Sequence, residues 1–202
     1  MTDLEPLMNR RRLTVTLAFA LPLGGLAAAC AAYWVFGRAE EVSLADVDYS
    51  LEADGVRNPV MVPPRARLPE NMPVVGVSIN GRSRAYAIWA LASDPTQHVV
   101  NDVIEGAPVT ITYCDLNDCA RVFTKADGSG AALDVKVGGL QKGKMVLIVG
   151  GRKFLQEAED VPLDEVPFEH TTWKDWKAHH ADSEVYIGWQ RRDPGGGAMS
   201  AD

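Results

Sequence analysis

Two cysteines, Cys114 and Cys119, bracket Asp115-Leu116-Asn117-Asp118 in the run TYCDLNDCARV. If 108–114 and 119–124 pair as a hairpin, the thiols face each other at its mouth. Opposed Cα atoms then lie about 4.5–5.5 Å apart, within disulfide reach. Four chemistries fit this pair. A staple closing so short a loop contributes about 2 kcal/mol. A redox pair is a second reading, although the spacing is wider than C-x-x-C and no helix N-terminus is evident to lower a thiol pKa. Thiolate metal ligation and two unpaired thiols are the others. His98 and Asp102 form a second pair. On a strand, positions 98, 100 and 102 share one face and Asn101 takes the other. An imidazole beside a carboxylate suits a metal site or a general base, and equally a hydrogen-bonded packing role. With Cys114 and Cys119 on a neighbouring strand, a Cys/His/Asp set would suit copper or zinc, without the spacing of a finger or ribbon.

Other runs carry less. Gly138-Gly139 and Gly150-Gly151-Arg152-Lys153 match neither phosphate-binding glycine pattern and read as turns. No serine sits in a G-x-S-x-G elbow, so a hydrolase triad has no support. Trp173, Trp176 and His180 recur at helical spacing and read as a docking face. His170 and His179 have no register with the cysteines.

The elements that must position these residues are mostly strands. From Pro73 onward, short β-rich runs are split by turn residues, and Asn80-Gly81 between PVVGVSI and RSRAYAI is a strong hairpin signal. Thr172 with Asp175 opens one late helix, TWKDWKAHHA, in the manner of a capping box. The spacing predicts an α+β fold, a mainly antiparallel β domain over 73–190 with that single helix. Residues 37–72 are acidic and then proline-rich, a tether or an arm packed along the domain. Val60, Met61 and Val62 favour the packed arm. Residues 191–202 read as a disordered tail.

The chain of 202 residues carries 20 Lys+Arg against 27 Asp+Glu, a net charge of −7. That balance argues against nucleic acid, which rewards dense basic surfaces. An apolar content of 47% excludes wholesale disorder, and three cysteines exclude a disulfide-framework miniprotein.

Leu13–Phe36 holds 24 residues without a charge. As a helix it would reach about 36 Å, enough for a single transmembrane crossing. Arg10–Arg12 precede it and Glu40, Glu41, Asp46 and Asp48 follow, which places residues 1–12 in the cytoplasm and the rest in the periplasm or otherwise outside. Cleavage near Ala27–Ala32, twin-arginine export and lipidation at Cys30 compete with a retained anchor. The bilayer is thus one expected partner and a membrane protein complex another.

Arg84-Ala85-Tyr86, His98 with Asn101-Asp102, Tyr113-Cys114, and Thr172-Trp173 with Trp176 resemble a bacterial family of unknown function, catalogued as three-one-seven-nine. The likeness covers roughly residues 57–187. Relatives read Y-C-P-L-C where this chain has Tyr113-Cys114 and then Cys119, which departs from a C-x-x-C centre. The resemblance implies an exported, β-rich domain with no agreed activity. It also marks His98, Asn101, Asp102, Tyr113 and Arg84 as a candidate ligand site beside the cysteines.

The charge asymmetry around Leu13–Phe36 makes a direct prediction. Protease added outside spheroplasts digests the domain, whereas full protection, or a soluble mature chain starting after Ala32, defeats the retained anchor.

Overall fold

A computed structural model describes residues 47–125 and 130–190. The expected membrane segment 13–36 and the tail 191–202 lie outside the described residues. Among the described residues, no helix is long and apolar enough to cross a membrane.

The strands fall into three sheets. The first has the order β1 (Tyr49–Asp54), β9 (Val135–Gln141), β10 (Lys144–Val149), β11 (Arg152–Leu155). The second runs β12 (Asp164–Glu165), β8 (Cys119–Thr124), β7 (Ala107–Cys114), β6 (Val99–Ile104), β2 (Val56–Arg57). The third runs β13 (Phe168–Thr172), β4 (Pro73–Ile79), β5 (Arg82–Ala87), β14 (Glu184–Gln190), β3 (Pro59–Val62). Helix α1 (Ile88–Leu91), a 3-10 turn at Pro95–His98 and helix α2 (Trp173–His179) complete the set.

Local sequence explains the hairpins. Ile79 pairs with Arg82 around Asn80 (φ 52°) and Gly81 (φ 78°). Ile104 pairs with Ala107 around Glu105 (φ 46°) and Gly106 (φ 76°). Two successive positive φ values twist a two-residue turn in the sense the strands require. Gly150-Gly151 does the same between β10 and β11.

Two expectations are corrected. The α+β class gives way to a mainly β protein, because helices of four and seven residues are too short to form a layer. The sheets are mainly antiparallel, with two parallel pairings among the described strands: β14 with β5, and β2 with β6. Gly138-Gly139 is not a turn but lies inside β9, at a register shift against β10. Gly139 has φ 96°, and a Cβ there would sit 2.2 Å from the Tyr49 carbonyl oxygen. That close approach needs glycine. The proline-rich arm is part of the sheets, with Val62 and Met61 of β3 paired to Val185 and Tyr186 of β14.

The second sheet is covered on both faces. Val100, Ile104, Val109 and Ile111 join a core with Val74, Val75, Tyr86 and Val185 of the third sheet. Val99, Cys114 and Phe123 join another with Val135, Val137, Met145 and Leu147 of the first. Alternate residues along β6 and β7 therefore face two different layers, with Asn101, Asp102, Thr110 and Thr112 as buried polar positions among them.

Helix α2 is capped by Thr172, whose hydroxyl accepts from the Asp175 N–H at 3.2 Å. It buries Trp173 and Trp176. The Trp176 ring lies over Gly76, where an added Cβ would stand 2.4 Å from the ring. Gly76→Ala must displace that indole, and an overpacking cost of about 1–3 kcal/mol is expected. A urea midpoint unchanged by Gly76→Ala would contradict this packing.

Candidate functional site

Asn101 and Asp102 are adjacent on β6 and serve opposite layers. Asn101 donates from Nδ2 to the Val135 carbonyl at 2.9 Å and accepts from the Thr110 hydroxyl at 2.8 Å. It ties the second sheet to the first. Asp102 accepts from Arg84 Nη1 at 2.8 Å on both oxygens, from the Tyr86 hydroxyl at 2.6 Å and from the Val103 N–H at 2.7 Å. It ties the second sheet to the third. Burial and the Asp102 carboxylate push the Tyr86 hydroxyl well above the ordinary phenol range. Burial works against the Arg84 charge, but Asp102 outweighs it and the guanidinium pKa stands raised. Arg84 Nε lies 3.4 Å from Glu184 Oε2 without making a hydrogen bond. Both raised values hold the protons on Arg84 and Tyr86, and each of these groups already contacts a protein partner. Their arrangement is that of a cross-layer tie, not of a poised acid or base.

His98 lies elsewhere. It ends the 3-10 turn rather than starting the strand, so it does not share the expected face with Asp102. Its Nε2 is 3.8 Å from Asp115 Oδ1, and its buried Nδ1 has no hydrogen-bond partner. His98, Cys114 and Asp115 line one pocket of about 360 Å³, with Val137, Leu140 and Met145 among its apolar walls. The turn brings the imidazole there, while β7 brings the thiol on the face that looks toward the first sheet.

Cys114 and Cys119 are direct partners in the β7–β8 register. They are free thiols, Cys114 buried and Cys119 half-buried. Burial, with Glu157 adding to it, raises the Cys119 thiol pKa. Tyr113 turns to the other core and donates its hydroxyl to Asp118 at 2.8 Å. Burial and that bond push its pKa up to about 12. Among the described residues, no group of three His, Cys, Asp or Glu side chains could hold a metal ion.

The candidate set thus divides in two. His98 and Cys114 meet at the pocket, with Cys119 beside them across the ladder, while Arg84, Asn101 and Asp102 hold the layers together. The sequence reading overlooked Asp115, although it directly follows Cys114. It also overlooked Tyr86 and Glu184 as contacts of the Asp102–Arg84 pair, because β5, β6 and β14 are distant in sequence. Ser83 Oγ stands 2.9 Å from His180 Nδ1, a contact that no local motif signals.

A family model described as "Protein of unknown function (DUF3179)" matches residues 55–195. The chain belongs to this family. No curated protein and no solved structure matches it. The DUF3179 match spans β2 to β14, and so includes the cross-layer ties and both cysteines.

Removing one partner from a buried ion pair leaves a charge without compensation. Asp102→Asn is therefore expected to cost about 3 kcal/mol, measured by chemical denaturation. Adding Arg84→Gln should recover part of that loss, because the two changes are coupled. Additive losses would show that the pair is not the tie described.

Proposed function

We propose that this domain is an exported binding module, held at the membrane by segment 13–36, with a dithiol at its pocket that cycles between two thiols and a disulfide. The observation that carries this reading is the direct register of Cys114 with Cys119, where Cys114 also lines the pocket that contains His98. The location rests on the apolar segment and its charge flanks. A bilayer and a membrane complex remain the proposed partners.

The chemistry favours exchange over metal ligation. Copper or zinc held by Cys114, Cys119, His98 and Asp102 would need Asp102, which Arg84 and Tyr86 already engage. In exchange, Cys119 is the more accessible sulfur and Cys114 the buried one. An external disulfide, such as that of glutathione or a thiol–disulfide oxidoreductase, forms a mixed disulfide at Cys119. The Cys114 thiolate then attacks the Cys119 sulfur and expels the external thiolate. Two thiols lose two protons and two electrons, and the external disulfide is reduced to two thiols. Oxidation draws Cys114, and with it one wall of the pocket, toward Cys119.

The raised Cys119 pKa sets the pH dependence. Less thiolate is present at a given pH than for an ordinary thiol, so closure is slow near neutrality and accelerates as pH rises past the ordinary thiol range. Full-length protein equilibrated in glutathione redox buffers, then alkylated and analysed by mass spectrometry, should show one reversible Cys114–Cys119 link. A potential above about −300 mV is expected for a switching bond. A link that glutathione cannot reduce would identify a staple, and persistent free thiols under oxidising buffer would reject the switch. Stoichiometric copper or zinc that Cys114→Ser abolishes would favour the metal reading instead.

A further inference from the structure

A different face of the domain carries a charge pattern opposite to the chain as a whole. Arg65, Arg67, Lys174 and Lys177 line one pocket of about 450 Å³ with Glu70 as its acidic residue. Four cations thus surround one carboxylate in a protein of net charge −7. Lys174 Nζ meets Glu70 Oε2 at 3.1 Å, an exposed pair that contributes little to stability. Lys177 donates to the Pro64 carbonyl at 3.1 Å, and its ammonium lies 5.4 Å from the Trp173 ring centre. That lysine is fixed against the pocket wall.

Arg65 and Arg67 are exposed and have no acidic partner among the described residues. They follow the Pro63-Pro64 turn, closed by the Ala66 N–H to the Pro63 carbonyl at 2.9 Å. The intervening Ala66 and the following Leu68 are half-buried, while Arg65 and Arg67 are exposed and both line the pocket. Planar guanidinium forks match phosphate oxygens in pairs, and an ammonium adds a point charge. Leu68, Trp173 and Ala178 supply apolar wall for the body of a ligand.

We infer that this pocket binds a phosphate-bearing anion, either a free phosphate compound or the phosphodiester headgroup of a lipid. Arg65 and Arg67 hold the phosphoryl oxygens and Lys177 supplies a fixed positive charge.

Full-length protein in a neutral detergent is titrated calorimetrically with pyrophosphate and, separately, with glycerophosphoglycerol. Binding of either is expected to weaken with added salt and to fall about tenfold or more in the variant carrying Arg65→Gln and Arg67→Gln. Lys153→Gln removes the same kind of charge from the first sheet and should leave binding unchanged. Ala178→Glu places a carboxylate in the pocket with all four cations kept, and should abolish binding. Binding of pyrophosphate alone identifies a free phosphate compound, and binding of glycerophosphoglycerol identifies a lipid headgroup. No binding of either probe, or equal weakening by Lys153→Gln, overturns the inference.

Discussion

A sheet covered on both faces has little water to solvate its buried side chains, so the polar groups it buries need protein partners, within the sheet or in a neighbouring layer. The second sheet meets that demand with two consecutive residues. Asn101 turns to the first sheet and bonds the β9 backbone at Val135, while Asp102 turns to the third and takes Arg84 and Tyr86. Because side chains alternate along a strand, this dipeptide spans three layers. Shifting β6 by one residue would exchange the two faces and leave an amide and a carboxylate buried without their partners. The ties therefore fix register as well as holding the layers together.

The same requirement separates structural polarity from chemistry. The hydrogen-bonding oxygens of Asp102 are occupied, and its neighbours hold their protons at neutral pH, so it has little freedom to work on a ligand. His98 is different. Its Nδ1 has no hydrogen-bond partner, and it shares an apolar-walled pocket with Cys114 and Asp115. A thiol is a small and weakly polar group that an apolar layer tolerates cheaply. Cys114 is thus accommodated as a core residue while still lining the pocket.

Charge follows a comparable division of labour. The chain is acidic overall, yet its proline-rich arm and late helix bring four cations to one pocket. Prolines bound β3, with Pro59 at its start and the Pro63-Pro64 turn directly after it. They let Arg65 and Arg67 project while Val62 and Met61 take part in β14 pairing. The arm that Val60, Met61 and Val62 marked as packed is an edge strand followed by a cationic rim.

Sequence by itself determined the strands with strong local signals: the Asn80-Gly81 hairpin, the Val/Ile/Thr-rich runs of β6 and β7, the apolar run of β10, and the opposition of Cys114 and Cys119 across the β7–β8 ladder. Period, turn chemistry and loop length are local properties, and local interactions set them. It also determined Thr172 as the start of the late helix, through its short-range cap. The tertiary structure alone decided that β14 lies parallel to β5 and β2 parallel to β6, since such pairings join segments without a connecting turn. It decided that Gly138-Gly139 is a bulge, because only the approach of the Tyr49 backbone demands glycine there. It decided, finally, that His98 belongs with Cys114 while Asp102 belongs with Arg84. A 3-10 turn ending at His98 removes that residue from the strand's alternation, and which layer covers each face of β6 is a long-range outcome that residue spacing does not contain.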